Sequence, residues 1–155
     1  MNGWLFLPLM ALLLSASAFF SASETALFSL QREAVAGLAS LSGRRAQLAV
    51  KLLAAPRELL ATLLFGNLIV NTLFYSLAAL AAYHLAEAGR PLAAAIVGAA
   101  GLVLVIVLGE ILPKTMALAF NRPLALAVSA PLYGVYVALR PVRYAVGAIV
   151  RVITA

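Results

Sequence analysis

The sequence predicts an all-α membrane protein. Three transmembrane helices are expected, with short interfacial helices after the first and an amphipathic juxtamembrane helix at the C-terminal end. Three observations carry this. The 155 residues are 65% hydrophobic and 10% charged, with a mean hydropathy of +1.09, whereas about a quarter of a soluble chain is charged. The apolar residues gather into runs long enough to cross ~30 Å of hydrocarbon, which takes ~20 helical residues. The basic residues cluster between the first two runs and near the C-terminus, as they do at a cytoplasmic membrane rim. The net charge of +6 therefore implies membrane lipids as partners and not nucleic acid. With no cysteine, disulfides, thiolate catalysis and soft-metal thiolate sites are excluded. His84 is the single histidine and cannot build a zinc or copper site alone. The length suits one domain, residues 1–155.

The first run, Trp4 to Phe20, leads into Ser-Ala-Ser-Glu-Thr-Ala and resumes at Ala26–Leu30. No basic residue precedes it, as a secretory signal would require, so it reads as a true first span. Ser21, Glu24 and Thr25 share a helix face there. Gln31 to Arg57 differs in kind. Leu38, Leu41, Leu48 and Leu52 alternate with Arg32, Arg44, Arg45, Gln47 and Lys51, and Ser42-Gly43 interrupts them. That pattern predicts two short amphipathic helices in the interface. Pro56 suits a helix start, and Leu59 to about Tyr83 forms the second span. His84, Glu87 and Arg90 make a short outer connection, and Pro91 opens a third apolar run to Leu112. Ala94 and Gly98 in that run have the spacing of close helix packing, within the chain or between two copies.

After a break at Pro113, residues 124–139 are apolar but contain Pro131 and Gly134. The run is short for a crossing, so a kinked or surface-buried helix is expected. The tail places Arg140, Arg143 and Arg151 on one stripe and Val142, Ala145, Val146, Ile149 and Val150 on the other, the pattern of a juxtamembrane helix. The positive-inside rule puts the N-terminus outside and the C-terminus in the cytoplasm.

Each span carries polar groups at depth, where they are expensive unless functional or partnered. They are Ser21, Ser23, Glu24 and Thr25; Gly66, Asn67 and Asn71; and Gly109, Glu110 and Lys114. Asn67 and Asn71 are four apart and share a face, and Gly66 permits a close approach. Pro113 has no N–H, so the Gly109 carbonyl loses its α-helical donor. Apart from Lys114, the cluster offers hydroxyl, carboxamide, carboxylate and freed backbone oxygens. Such a set suits a hard cation: Mg²⁺, Ca²⁺ or Na⁺. Lys114 has the wrong sign for a ligand and reads as a counter-charge to Glu110 or Glu24. The plainer reading is a buried ion pair with hydrogen bonds gluing three helices. The number of separate polar clusters favours the ion site.

Phe-Ser-Ala-Ser-Glu-Thr-Ala-Leu-Phe-Ser-Leu at 20–30, Leu-Leu-Phe-Gly-Asn-Leu-Ile-Val-Asn at 63–71 and Gly-Glu-Ile-Leu-Pro-Lys at 109–114 together resemble the transmembrane domain of the CorC/CNNM (cyclin M, DUF21) magnesium-transporter family. The resemblance covers essentially the whole chain. It implies a homodimer with three membrane helices per subunit in the cell (inner) membrane. It further implies a following cytosolic CBS-pair domain that binds ATP, absent from these residues. The family association is Mg²⁺ efflux driven by Na⁺ entry, with Mg²⁺ held largely dehydrated. Carried over by position, the metal ligands are Ser21, Ser23, Gly66 through its carbonyl, Asn67, Asn71 and Glu110, with Glu24, Gly109, Pro113 and Lys114 in support.

The expected function is thus a divalent-cation transporter domain exporting Mg²⁺, with Na⁺ as the coupling ion. Two rivals use the same residues: a Mg²⁺ sensor that moves no ions, and a structural anchor for a cytosolic regulatory domain. No nucleophile–base pair or metal-bound water site points to an enzyme.

Overall fold

The structure is a computed structural model that describes residues 6–142 and 144. The described elements are helices in the order α1 (Phe6–Phe28), α2 (Arg32–Ala39), α3 (Arg44–Leu53), α4 (Pro56–Glu87), α5 (Pro91–Leu104), a π-helix (Val105–Ile111), α6 (Leu112–Ala119) and α7 (Asn121–Ala138). Three of these stretches are long and apolar enough to cross a membrane: Phe6–Phe28, Pro56–Glu87 and Pro91–Ala119. Only 22%, 22% and 17% of their most apolar windows is buried. Side chains such as Leu7, Leu64, Leu92 and Ile111 instead point outward, which suits lipid as the solvent. The protein is an all-α membrane protein with three spans.

The spans differ in detail from the sequence expectation. At ~1.5 Å per residue, α4 is about 48 Å long, more than the ~30 Å hydrocarbon layer requires. It takes in His84 and Glu87, leaving only Ala88–Arg90 as the connection. The third span does not break at Pro113; it runs on to Ala119. Its α ladder gives way at Val105 to five-residue hydrogen bonds, and the Leu112 N–H donates to the Val107 carbonyl. Pro113 has no N–H to give either to Leu108, its partner in that register, or to Gly109, its α-helical partner. The register changes where proline has already removed the bond, so the helix continues.

The α4–α5 turn is closed by backbone geometry. Gly89 has φ +73°. Arg90 N–H donates to Leu85 O and Gly89 N–H to Ala86 O, both at 3.0 Å, the paired bonds of a Schellman cap. Pro91 then starts α5 at a position that needs no amide donor.

The chain divides into two compact units. One comprises residues 1–22 and 66–116, the other 23–65 and 117–155. In the first, close approach replaces bulk. Gly101 packs where a Cβ would lie 3.2 Å from Ala78 Cβ, whereas Gly98 has no atom within 4 Å of that position. Gly98 is exposed, so the close packing inside the chain falls at Gly101.

In the second unit α3 packs along α7. Ala46, Ala49 and Leu52 are buried on α3, and Ala125, Val128 and Leu132 on α7. Arg44, Arg45, Gln47 and Lys51 stay exposed, as the amphipathic pattern requires. Tyr133 and Tyr136 stack 6.2 Å apart. Lys51 donates to Tyr133 Oη at 2.7 Å, and Tyr136 donates to Glu58 Oε2 at 2.7 Å. The helix α7 is accordingly a packed helix with Pro131 inside it, not one of the three spans. Arg140 is exposed and 140–142 are helical; the rest of the expected juxtamembrane helix, including Arg143 and Arg151, lies outside the described residues.

Gly89→Ala is expected to cost about 1 kcal/mol, because an L-residue is strained in the left-handed region. Gly37→Ala, inside α2 with no atom within 4 Å of the new Cβ, is expected to gain a few tenths up to ~1 kcal/mol. Thermal unfolding in detergent should move the two midpoints in opposite directions.

Candidate functional site

The polar residues of the first unit converge. The usual fate of a helical serine or threonine in a membrane is a bond to its own helix, four residues back. Ser15, Thr62 and Ser76 do this, at 2.8 Å each, and Ser129 does so to Ala125. Ser17 and Ser21 instead reach other helices. Ser21 Oγ donates to the Glu110 carbonyl at 3.4 Å, and Ser17 Oγ donates to Asn67 Oδ1 at 3.3 Å. Both serines are 1% exposed.

The carboxylate is held from α4. Asn71 Nδ2 donates to Glu110 Oε1 at 3.3 Å. Asn71 Oδ1 is then left buried with no hydrogen-bond partner. An orphaned buried acceptor typically costs ~1–3 kcal/mol, and a cation is one of the few groups that can satisfy it in a lipid-facing bundle.

Two glycines let the elements close. A Cβ on Gly109 would lie 2.8 Å from Ser17 Oγ, and one on Gly66 2.5 Å from the Phe20 ring. Both glycines are buried. The sequence suggested that the freed Gly109 carbonyl would be a cation ligand. In the structure the neighbouring carbonyl, that of Glu110, takes the side-chain donor, and the Gly109 Cα faces Ser17. The room at Gly66 is filled by an aromatic ring.

The groups bonded at Glu110 are the Ser21 hydroxyl, on its main-chain carbonyl, and the Asn71 carboxamide, whose nitrogen takes the carboxylate and whose oxygen is left over. Among the described residues no group of three or more His, Cys, Asp or Glu side chains comes together, so an ion here would meet one carboxylate and several neutral oxygens. That donor set fits a hard cation.

Family membership follows from the whole length of the chain. A family model for the cyclin M transmembrane N-terminal domain matches residues 8–155. The chain belongs to the cyclin M family. A curated relative, the UPF0053 inner membrane protein YfjD of Escherichia coli strain K12, is 31% identical over 138 residues, which is 88% of this chain. The chain spans 31% of that relative's length.

Of the ten residues expected at the cyclin M site, Ser21, Gly66, Asn67, Asn71, Gly109, Glu110, Pro113 and Lys114 belong to the first unit. Within it, direct bonds join Ser21 and Asn71 to Glu110. Pro113 is buried and Lys114 half-buried on the turn after Glu110. Ser23 and Glu24 belong to the second unit, where Ser23 is fully buried and Glu24 half-buried. Ser17 is the member that the sequence reading missed. Its signal was available: it lies one turn before Ser21, on the same face of α1.

Gly109→Ala is expected to cost 1–3 kcal/mol, since the added methyl must displace Ser17 or the helix that carries it. Gly98→Ala on the same span meets nothing within 4 Å and should not destabilise the chain. Thermal midpoints of the two purified variants check this.

Proposed function

We propose that this cyclin M domain binds Mg²⁺ as cargo between its membrane helices and exports it from the cytoplasm, with Na⁺ entry as the driving gradient. The observation that carries the reading is the unpartnered buried Oδ1 of Asn71, the residue whose Nδ2 holds the Glu110 carboxylate. Ser21, Asn67 and Asn71 supply neutral oxygens and Glu110 the charge. Mg²⁺ gives up its water reluctantly, so a site that strips it needs many oxygens in place of that water. Ser23, the Gly66 carbonyl and Glu24 complete the ligand and supporting set that the family resemblance implies. The working form is a homodimer in the inner membrane, followed in the full-length protein by a cytosolic CBS-pair domain.

Charge supports the orientation. Residues 1–22 carry no charged side chain, and within 66–116 Glu87 and Glu110 balance Arg90 and Lys114, so the net charge of +6 lies in the segments 23–65 and 117–155. Basic segments stay cytoplasmic. The N-terminus therefore lies outside, and the α2–α3 segment and the C-terminus lie inside, with the Arg44, Arg45 and Lys51 face toward lipid headgroups.

Calorimetry on the purified chain in detergent should show saturable Mg²⁺ binding that Glu110→Gln abolishes without lowering its yield as folded protein. Absence of binding in the wild type would move the assignment to hydrogen-bonded glue in a structural anchor. Proteoliposome flux then separates export from sensing: Mg²⁺ movement stimulated by a Na⁺ gradient is expected, and binding without flux would favour a sensor.

The orientation has its own test. The sequence has no cysteine, so single cysteines can be read directly. Arg45→Cys should react with an impermeant maleimide only after the membrane is opened, and Ala88→Cys in intact cells.

A further inference from the structure

We infer that Phe74 seals the outer side of the ion site: its ring closes an apolar layer that the cation must cross to leave, so export requires the ring to move. The inference rests on the Mg²⁺ reading and the orientation above, and it gives a role to a residue outside the expected ligand set.

The polar contacts of the first unit stop abruptly in the outward direction. Each span carries an apolar side chain one helical turn beyond its polar groups. On α1 Leu14 precedes Ser17 by three residues, and its Cδ1 lies 3.6 Å from where a Gly109 Cβ would stand. On α4 Phe74 follows Asn71 by three, and on the third span Val105 precedes Gly109 by four. Residues at these spacings share a helix face, so the three lie on the faces that carry the polar groups, about 4–6 Å further out. Phe74 is 2% exposed and Val105 1%, and Leu14 is half-buried. By volume, Phe74 is the largest fully buried side chain among the described residues.

Outward of this layer the chain offers a cation nothing. Phe6 to Leu14 and Pro91 to Gly109 contain no polar side chain. Between Asn71 and Tyr83 the polar residues of α4 are Thr72, Tyr75 and Ser76, all exposed, and Ser76 bonds back to its own helix. In the inward direction, by contrast, the spans keep Ser23, Glu24, Thr25, Thr62 and Lys114. A cation held in the site has exchanged water for protein oxygens. An apolar constriction supplies no oxygens and excludes water as well, so the layer blocks the ion whether it is hydrated or not. The ring's neighbours leave it free to turn. It lies against Gly101, where a Cβ would be 3.6 Å from its Cε1, so no side chain interlocks with it there.

The test reads access to the site from outside. The sequence has no cysteine, so Ser17→Cys, on the site side of the layer, serves as a single reporter. A small impermeant cationic thiosulfonate is added to intact cells expressing the chain. Ala88→Cys, in the outer turn, gives the rate for an open thiol. With Phe74 in place, the thiol at position 17 should react far more slowly than the one at position 88. Phe74→Ala should speed the reaction at position 17 by about tenfold or more, as the dry layer wets, and leave the rate at position 88 unchanged. Phe74→Leu, apolar and nearly as large, should keep the slow rate. Truncating a buried phenylalanine is destabilising. Should the alanine variant not fold, Phe74→Val removes most of the ring, stays apolar and carries the same comparison.

A slow rate lost on truncation and kept by leucine supports the inference. A rate at position 17 that equals the one at position 88, or that truncation leaves unchanged, overturns it while the Mg²⁺ site stands. Failure of the Mg²⁺ reading shows separately, as calorimetry without saturable binding, and takes the inference with it. An Ala88→Cys thiol that is silent in intact cells overturns the orientation and, again, the inference.

Discussion

The polar contacts of the first unit gather at one carboxylate that is costly to place in hydrocarbon. On insertion scales a charged residue at the middle of a membrane helix costs ~2.5–3.5 kcal/mol. Glu110 sits in a 29-residue span with a mean hydropathy of 2.7 in its most apolar window. Its charge must be met by donors from elsewhere. One comes from Asn71 to the carboxylate, and Ser21 separately donates to the main-chain carbonyl of Glu110. Those bonds require α1 and α4 to lie close to the third span. The small residues at the contacts follow from that: a side chain on Gly109 would push Ser17 away, and one on Gly66 would meet the Phe20 ring.

The π-helix is the backbone's answer to the same demand. Gly101, Val105, Gly109, Pro113 and Ala117 are all buried, a stripe repeating every four residues. An α-helix turns once per 3.6 residues, so a four-residue stripe on a pure α-helix would wind steadily off its face. Five-residue hydrogen bonds widen the turn and bring the stripe back. The widened register covers Val105–Ile111 and so contains both Gly109 and Glu110. Segments of this kind are rare and concentrate at functional sites. Its end coincides with Pro113, which could have donated in neither register. A proline that reads as a helix breaker instead marks where one kind of helix hands over to another.

What could be read in advance divides along physical lines. The spans, the Pro56 and Pro91 starts and the amphipathic α2 and α3 were legible, because each depends on local periodicity or on the geometry of a single residue. Asn67, Asn71 and Glu110 were legible because polar groups in apolar runs are conspicuous. The register of the third span was not, since a π-helix depends on pairings along a whole turn that no short motif encodes. For the same reason Pro113 was expected to end a helix that in fact continues. Ser17 was missed for a different reason. Its position one turn before Ser21 was visible, but a serine in an apolar helix ordinarily bonds its own backbone, as Ser15 and Ser76 do, and position alone does not show that Ser17 reaches across to α4. The glycines were legible as sites of close approach, but not in what approaches: an aromatic ring at Gly66 and a hydroxyl at Gly109.

The difference between interhelical glue and an ion site comes down to how donors and acceptors balance. Glue in a membrane should leave few groups unmatched, because lipid offers nothing to match them. Asparagine is well suited to that, since its carboxamide brings donors and an acceptor together. Here Asn71 spends a donor on Glu110 and keeps an acceptor with nothing against it. Beside it, ionised Glu110 adds a further acceptor group, whereas the Asn67 oxygen is matched by the Ser17 hydroxyl. A bundle optimised for stability alone would have little use for an acceptor that costs ~1–3 kcal/mol when buried unmatched. A bundle that must hold a cation and then let it go has every use for one. On the Mg²⁺ reading proposed above, a single carboxylate among neutral oxygens would attract the ion without cancelling its whole charge, which would let it leave.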